Sequence, residues 1–230
     1  NLMKGAMISN LLIADMKNLA KQHFGKIPNK NTPRPKMTVA VAKPEHLKKV
    51  IHYIPQTDMK QLRINFVIEN NAQQFAVKPN GYVNYLLSNE MPGTLASALR
   101  DAGLSDAVYS SYDADEYGNA GSFTLYIDLT ETGVQSRDKV MGAVLKYLAL
   151  LREQGVNPRY FSEIKQSLSN SFRFKEKIND YNYAMQIAAD LQHTPTAYVL
   201  SSAYEYQRFN PEVIQALLDQ LTLDNARIFY

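Results

Sequence analysis

The chain has 230 residues, 45% of them hydrophobic and 20% charged, the proportions of an ordinary globular protein long enough to bury a sizeable core. It contains no cysteine, which excludes disulfides, a thiol nucleophile and thiolate metal sites. The net charge of +3, from 25 basic and 22 acidic residues, is too small and dispersed to argue for nucleic acid or a membrane surface, and no apolar run approaches the ~20 residues that span a bilayer.

Residues 2–9, LMKGAMIS, have strand character. The segment DMKNLAKQHF, 15–24, suits a helix with Met16, Leu19, Ala20 and Phe24 near one face, and Gly25 fits its end. Residues 26–36, KIPNKNTPRPK, carry three prolines and four basic residues; they read as an extended linker and as the chain's best boundary. A strand is expected near 49–54. QLRINFVIEN then alternates cleanly, with Leu62, Ile64, Phe66 and Ile68 on one side, the mark of a strand with one buried face.

Two helices are expected at about 80–90 and 93–102, separated by Pro92 and closed by Gly103. The following stretch, 106–130, reads as a hairpin. Phe123, Leu125, Ile127 and Leu129 alternate along its second arm, and the polar DADEYGNAG connection lies on the surface. Beyond Thr130, a plausible N-cap, the chain is helical: Met141, Val144, Leu145, Leu148 and Leu151 form one stripe up to Gly155. Asn157-Pro158 opens another helix carrying Phe161, Ile164, Leu168 and Phe172. Further helices are expected near 180–192, 196–206 and 211–220, and ARIFY ends the chain as a strand. Short turns between neighbouring strands imply a largely antiparallel sheet with helices covering one face, an α+β architecture.

Candidate chemistry is sparse. The four histidines, His23, His46, His52 and His193, form neither H-E-x-x-H nor H-x-x-E-H. His46 and His52 lie ~20 Å apart if extended, too far to share a zinc, so surface or interface histidines are the better reading. Asp113, Asp115 and Gly118 match a calcium loop only in part; a solvated hairpin tip accounts for them. No glycine-rich phosphate cradle or G-x-S-x-G turn is present. Tyr181, Tyr183, Tyr198, Tyr204 and Tyr206 cluster late in the chain. A stacking surface is conceivable, but helix seams explain them better. Arg173, Lys175 and Lys177 alternate with aromatics and read as a solvated helix end.

Several segments together carry a resemblance: MKNLAKQHFGKIPNKN; IHYIP at 51–55; LRINFVIENN at 62–71; NEMPGTLASALRDAGL at 89–104; IDLTETG at 127–133; YLALLREQG at 147–155; and DNARIFY at 224–230. With these the chain resembles the pitrilysin/insulinase family of zinc metallopeptidases, specifically the second of four related domains in the long members. The resemblance implies that residues 37–230 are an inactive peptidase-like domain. Residues 1–36 would then be the last strand and helix of the preceding catalytic domain plus the linker, so the chain reads as a piece of a larger protein.

Where the catalytic domain of that family carries H-x-x-E-H on a helix, this chain has YLLSN. Tyr85 and Asn89 fall at the two histidine positions and Ser88 at the glutamate. No catalytic residue and no metal ligand is therefore expected, zinc belonging to the parent enzyme rather than to this piece. The resemblance further implies a place in the wall of a substrate chamber, a peptide substrate, other domains of the parent chain as partners, and a periplasmic location. In the insulin-degrading members an edge strand of this domain holds the substrate's N-terminus. The matching stretch is VYSSYD at 108–113, which makes Tyr109, Ser110, Ser111 and Tyr112 candidate peptide-binding residues, with Ser110-Ser111 in place of those relatives' glycine pair. The alternative is a non-catalytic subunit-like binding or assembly module, related to the core subunits of processing peptidases.

Overall fold

The computed structural model describes residues 2–230. In chain order it contains α1 (Ile13–Phe24), β1 (Lys49–Ile51), β2 (Gln61–Ile68), α2 (Pro79–Leu87), α3 (Leu95–Asp101), β3 (Ser105–Glu116), β4 (Ala120–Leu129), α4 (Glu131–Gln135), α5 (Arg137–Gln154), α6 (Pro158–Arg173), α7 (Asp180–Asp190), α8 (Pro211–Gln220) and β5 (Ala226–Phe229). Two compact units emerge: Met37–Ser167 with Tyr206–Tyr230, and the residues through Lys36 with Leu168–Glu205. One cut thus falls at the end of the proline-rich linker.

In the larger unit the five strands form one sheet in the order β1-β5-β2-β4-β3. β2 pairs antiparallel with β4 and β5, and β4 antiparallel with β3. The exception to the antiparallel pattern is β1, which pairs parallel with β5. These two strands are far apart in sequence, so no short turn constrains their direction. The alternation of β2 is realised in full: Leu62, Ile64, Phe66 and Ile68 are at most 3% exposed. Phe123, Leu125 and Ile127 of β4 are fully buried beside them. This face is covered by helices whose apolar stripes match: Tyr82, Val83, Leu86 and Leu87 from α2; Leu95 and Leu99 from α3; Val140, Val144 and Leu148 from α5; Ile214, Leu217 and Leu218 from α8. Each such side chain contributes ~1.5–3 kcal/mol on burial.

Local signals set the helix ends. Thr94 Oγ1 accepts the Ser97 N–H at the start of α3, and Asn210 Oδ1 accepts the Val213 N–H ahead of Pro211 in α8. Thr130 Oγ1 accepts the Gly133 N–H and donates to the Gly103 carbonyl, joining the start of α4 to the end of α3. A Cβ at Gly133 would strike the Leu104 carbonyl, so this close approach requires glycine. The helical stretch after Thr130 breaks at Ser136 into α4 and α5.

The β3–β4 connection differs from its expectation. Asp113–Glu116 and Ala120-Gly121 belong to the strands, and the connection is only Tyr117-Gly118-Asn119, with φ of 55° and 81° at its first two residues. Two successive positive φ values give a tight turn that matches strand twist, closed by the Asn119 N–H donating to the Glu116 carbonyl, so the strands run on through the polar segment. Asp115 accepts the Gly118 N–H and an Asn70 amide, and Asp113 accepts the Asp115 N–H. These carboxylates build the turn.

In the smaller unit Asn179 caps α7 by accepting the N–H groups of Tyr181 and Asn182. The Lys175 ammonium lies 4.9 Å from the Tyr183 ring and 5.6 Å from that of Tyr204, which packs on Phe172. Tyr181, by contrast, is 71% exposed. Residues 2–9 form no strand. They are mostly exposed, and an extended segment becomes a strand only with a partner ladder. The helix expected over 196–206 reduces to a 3₁₀ turn at Thr196–Tyr198 followed by successive turns. Thr196, Val199 and the Ser201-Ser202 pair are poor helix formers, and no apolar face overrides them.

Tyr206, in the larger unit, is 1% exposed and stacks on Phe161, yet its hydroxyl has no hydrogen-bond partner among the described residues. Burial pushes its pKa up. Tyr206→Phe is expected to raise the free energy of unfolding in urea by roughly 1 kcal/mol by removing an unsatisfied polar atom. Phe66→Ala is expected to lower it by about 3–5 kcal/mol. A loss on Tyr206→Phe would show that the hydroxyl is bonded after all.

Candidate functional site

Two candidate regions adjoin: the end of α2, with Tyr85, Ser88 and Asn89, and the middle of β3, with Tyr109 to Tyr112. α2 starts at Pro79 after Lys78 in the left-handed region (φ 47°) and ends at Leu87, with Ser88 as its cap. Tyr85 is therefore helical, whereas Asn89 lies beyond the helix, where its Oδ1 accepts the Met91 N–H.

The Tyr85 hydroxyl donates to Glu163 Oε2 of α6 at 2.8 Å, and Arg159 Nε donates to Glu163 Oε1 at 2.9 Å. The bond to Glu163, then burial, pushes the phenol's pKa up. The Arg159 bond, seconded by that of Tyr85, holds the Glu163 carboxyl below its ordinary value. Glu163 escapes selection from sequence alone; the only hint is its helical i,i+4 spacing from Arg159.

Ser88 meets β3. Its Oγ accepts the Ser110 backbone N–H at 3.1 Å and lies 2.9 Å from Ser110 Oγ. Ser110 Oγ in turn donates to Asn84 Oδ1 at 2.9 Å. A hydroxyl has one proton, so the Ser88 hydroxyl is the donor in the serine pair. Tyr112 shares this side of the sheet, stacking on Phe123 at 6.3 Å; a Cβ at Gly81 would sit 3.7 Å from its hydroxyl. Burial pushes the Tyr112 pKa up.

Tyr109 and Ser111 face the opposite side. Tyr109 stacks on Tyr126, centroids 5.0 Å apart and planes 10° off parallel, and accepts a bond from Gln61 Nε2, which also donates to Asp128. Burial and the Asp128 charge push the Tyr109 pKa up. Ser111 Oγ donates to the Tyr126 hydroxyl at 3.4 Å. The four candidate residues thus share one stretch of strand but divide between two faces.

The donor set around α2 does not fit zinc. A protonated phenol, a hydroxyl engaged on both sides and a neutral amide supply neither imidazole nor free carboxylate. Among the described residues, no group of three or more histidines or carboxylates is placed to hold a metal ion. His46 Nδ1 instead accepts the Lys43 N–H, and His52 meets the Tyr230 ring edge-on at 4.8 Å.

Residues 1–168 match the family described as the peptidase M16 inactive domain. The chain belongs to the M16 peptidase family. Residues 172–230 match the middle or third domain of M16 peptidases. Over all 230 residues the chain is 36% identical to Protease 3 of Salmonella typhimurium, and over 228 residues 29% identical to human insulin-degrading enzyme. It spans 24% and 22% of the lengths of these two M16 relatives. Its fold matches the crystal structure of pitrilysin with a TM-score of 0.93 and 32% identity, covering 96% of this chain and 24% of that one.

Glu163→Gln tests the tie between α2 and α6. Because the folded pKa of Glu163 lies below its ordinary 4.5, its stabilisation is present above that value and lost as pH falls through the lower folded value. The Tm of the wild type is expected to exceed that of Glu163→Gln near neutral pH and to converge with it once the pH has fallen through the lowered folded value. A pH-independent difference in thermal melts would remove the carboxylate from this role.

Proposed function

We propose that this chain is a non-catalytic domain of a zinc-dependent M16 metalloendopeptidase, over residues 37–230, preceded by the end of the catalytic domain over residues 1–36. It forms part of the wall of the substrate chamber and anchors an extended peptide on β3. The zinc and its ligands belong to a part of the parent outside this chain. The likeness to Protease 3 and insulin-degrading enzyme, together with the inactive-domain description of its family, supports this reading. The periplasm is the proposed location.

One observation carries the anchoring role: β3 is the outermost strand of the sheet, and Tyr109 and Tyr112 on it are 41% and 46% exposed. An edge strand offers backbone donors and acceptors to an added strand whatever its sequence, which suits a peptidase with varied substrates. Side chains to either side of that ladder sense the peptide's alternate residues: the Tyr109–Tyr126 stack on one face, Tyr112 on the other. Holding a long peptide at one end raises its local concentration at a distant cleavage centre.

Ser110→Pro in the full-length parent places a pyrrolidine ring in that edge. The substitution breaks the Ser110 N–H bond to Ser88 and distorts the edge, so cleavage of long peptides is expected to fall roughly tenfold in kcat/KM, with short-peptide cleavage unchanged. Unchanged cleavage of both would refute the anchoring role. Separately, zinc analysis of the 230-residue chain after dialysis is expected to find no bound metal; stoichiometric zinc would refute the assignment of the metal to another domain.

A further inference from the structure

The sheet face turned away from the helices carries a cluster of cations. Arg63 and Asn65 alternate along β2 with the buried Leu62, Ile64 and Phe66, so they stand on that face. Arg227 of β5 lies opposite Asn65 on one side and opposite Lys49 of β1 on the other, and Phe229 lies opposite Arg63. Both guanidiniums are oriented and keep donors unspent. Arg227 Nε and Nη2 donate to Asn65 Oδ1 at 3.1 and 2.6 Å, and Asn65 Nδ2 donates to Thr124 Oγ1 at 2.9 Å. The amide is thereby fixed, and it takes one edge of the Arg227 guanidinium. The Nη1–Nη2 edge, a fork of the kind that grips a carboxylate, is left over. The Arg63 guanidinium lies 4.3 Å from the centroid of the Phe229 ring, which sets its plane rather than using its N–H groups.

Among the described residues, Lys49, Arg63 and Arg227 form no ion pair. Neighbouring carboxylates are engaged elsewhere. Asp224 pairs with Lys48 at 2.7 Å, and Asp128, two residues beyond the Tyr126 that faces Arg63, accepts from Gln61. Lys49 and Arg227, like charges directly opposite, repel each other, and an anion between them relieves this. We infer that Lys49, Arg63 and Arg227 form a binding site for the carboxylates of an acidic peptide segment. This inference rests on the chamber-wall reading in one respect: the chamber brings peptides to this face. Arg63 and Arg227 are diagonal neighbours across the β2–β5 pairing, ~7–8 Å apart at the backbone. Side chains two residues apart in an extended peptide stand ~7 Å apart on one side of it. Acidic residues at alternate positions therefore reach both guanidiniums, one carboxylate in the Arg227 fork and the next at the edge of Arg63. Ile51, opposite Phe229 and 36% exposed, extends an apolar floor beside them for the peptide's aliphatic stems.

The test titrates the 230-residue chain at low salt with a capped hexapeptide alternating glutamate and threonine, or with its counterpart carrying glutamine for glutamate, and follows the arginine Nε–H signals by NMR. The glutamate peptide is expected to shift the Arg63 and Arg227 signals and to bind about tenfold more tightly than the glutamine peptide. Arg63→Gln and Arg227→Gln are each expected to weaken the glutamate peptide about fivefold, and Arg227→Lys, which keeps the charge and loses the fork, to recover only part of that loss. Lys49 is exposed, so Lys49→Gln probes the cluster without disturbing the core; a loss of about twofold is expected. Equal affinity for the two peptides, or a glutamate affinity indifferent to every one of these substitutions, overturns the site. Inorganic phosphate that moves the same arginine signals at the same concentrations overturns the peptide as its occupant. In the full-length parent, Arg227→Gln is expected to lower the ratio of kcat/KM for a long glutamate-rich peptide to that for its glutamine counterpart about fivefold. Binding to the 230-residue chain with no change of that ratio in the parent overturns the chamber-wall reading and leaves the site standing.

Discussion

The pairing of β2 with β4 is the constraint on which the rest depends. Each strand buries every second side chain against the helices, and the register sets Ile64 opposite Leu125 and Phe66 opposite Phe123. A slip of one residue would turn both apolar rows to the other face, at a cost of many kcal/mol, so the register admits one solution. That solution propagates outward. β4 fixes β3 through Tyr109 opposite Tyr126 and Tyr112 opposite Phe123. The direction of each backbone group at the edge of the sheet is thus decided two strands away, by core packing.

The same core explains how a peptidase scaffold persists without its chemistry. Helix α2 is held by Tyr82, Val83, Leu86 and Leu87, which face inward and belong to the fold. Tyr85 and Ser88 lie outside that inward row, only half-buried, and are engaged in local hydrogen bonds with Glu163 and Ser110. Each bond adds little to stability, on the order of 1 kcal/mol. Together they tie α2 to α6 on one side and to the sheet edge on the other.

What the sequence reveals follows the same division. The period-two runs in β2 and β4 and the helical stripe of α5 are legible because burial imposes a single spacing on them. The antiparallel hairpin and the caps at Thr130 and Pro211 are legible for local reasons of turn and cap chemistry. The parallel pairing of β1 with β5 is not, since it joins residues ~180 apart with no local signal. Nor is the loss of the helix over 196–206, where weak propensity meets no burial. At the candidate site, Tyr85, Ser88 and the run from Tyr109 to Tyr112 are reachable by resemblance. The bonds Tyr85–Glu163 and Ser88–Ser110 are contacts across 78 and 22 residues that no spacing encodes.

A long outer strand is a hazard, because it invites pairing with any extended chain, including another copy of itself. This chain limits the hazard by shortening the usable edge. Bulges bend β3 at both ends, the tight turn at Tyr117-Gly118 closes one of them, and Ser88 occupies the middle donor. The edge so blunted leaves Tyr112 exposed and Val108 buried, and it offers little backbone to a passing strand. Under the proposed anchoring role, an edge with few open groups holds a peptide weakly enough to release it. The role proposed for this domain is compatible with that weakness, since tight capture at the edge would slow any later step.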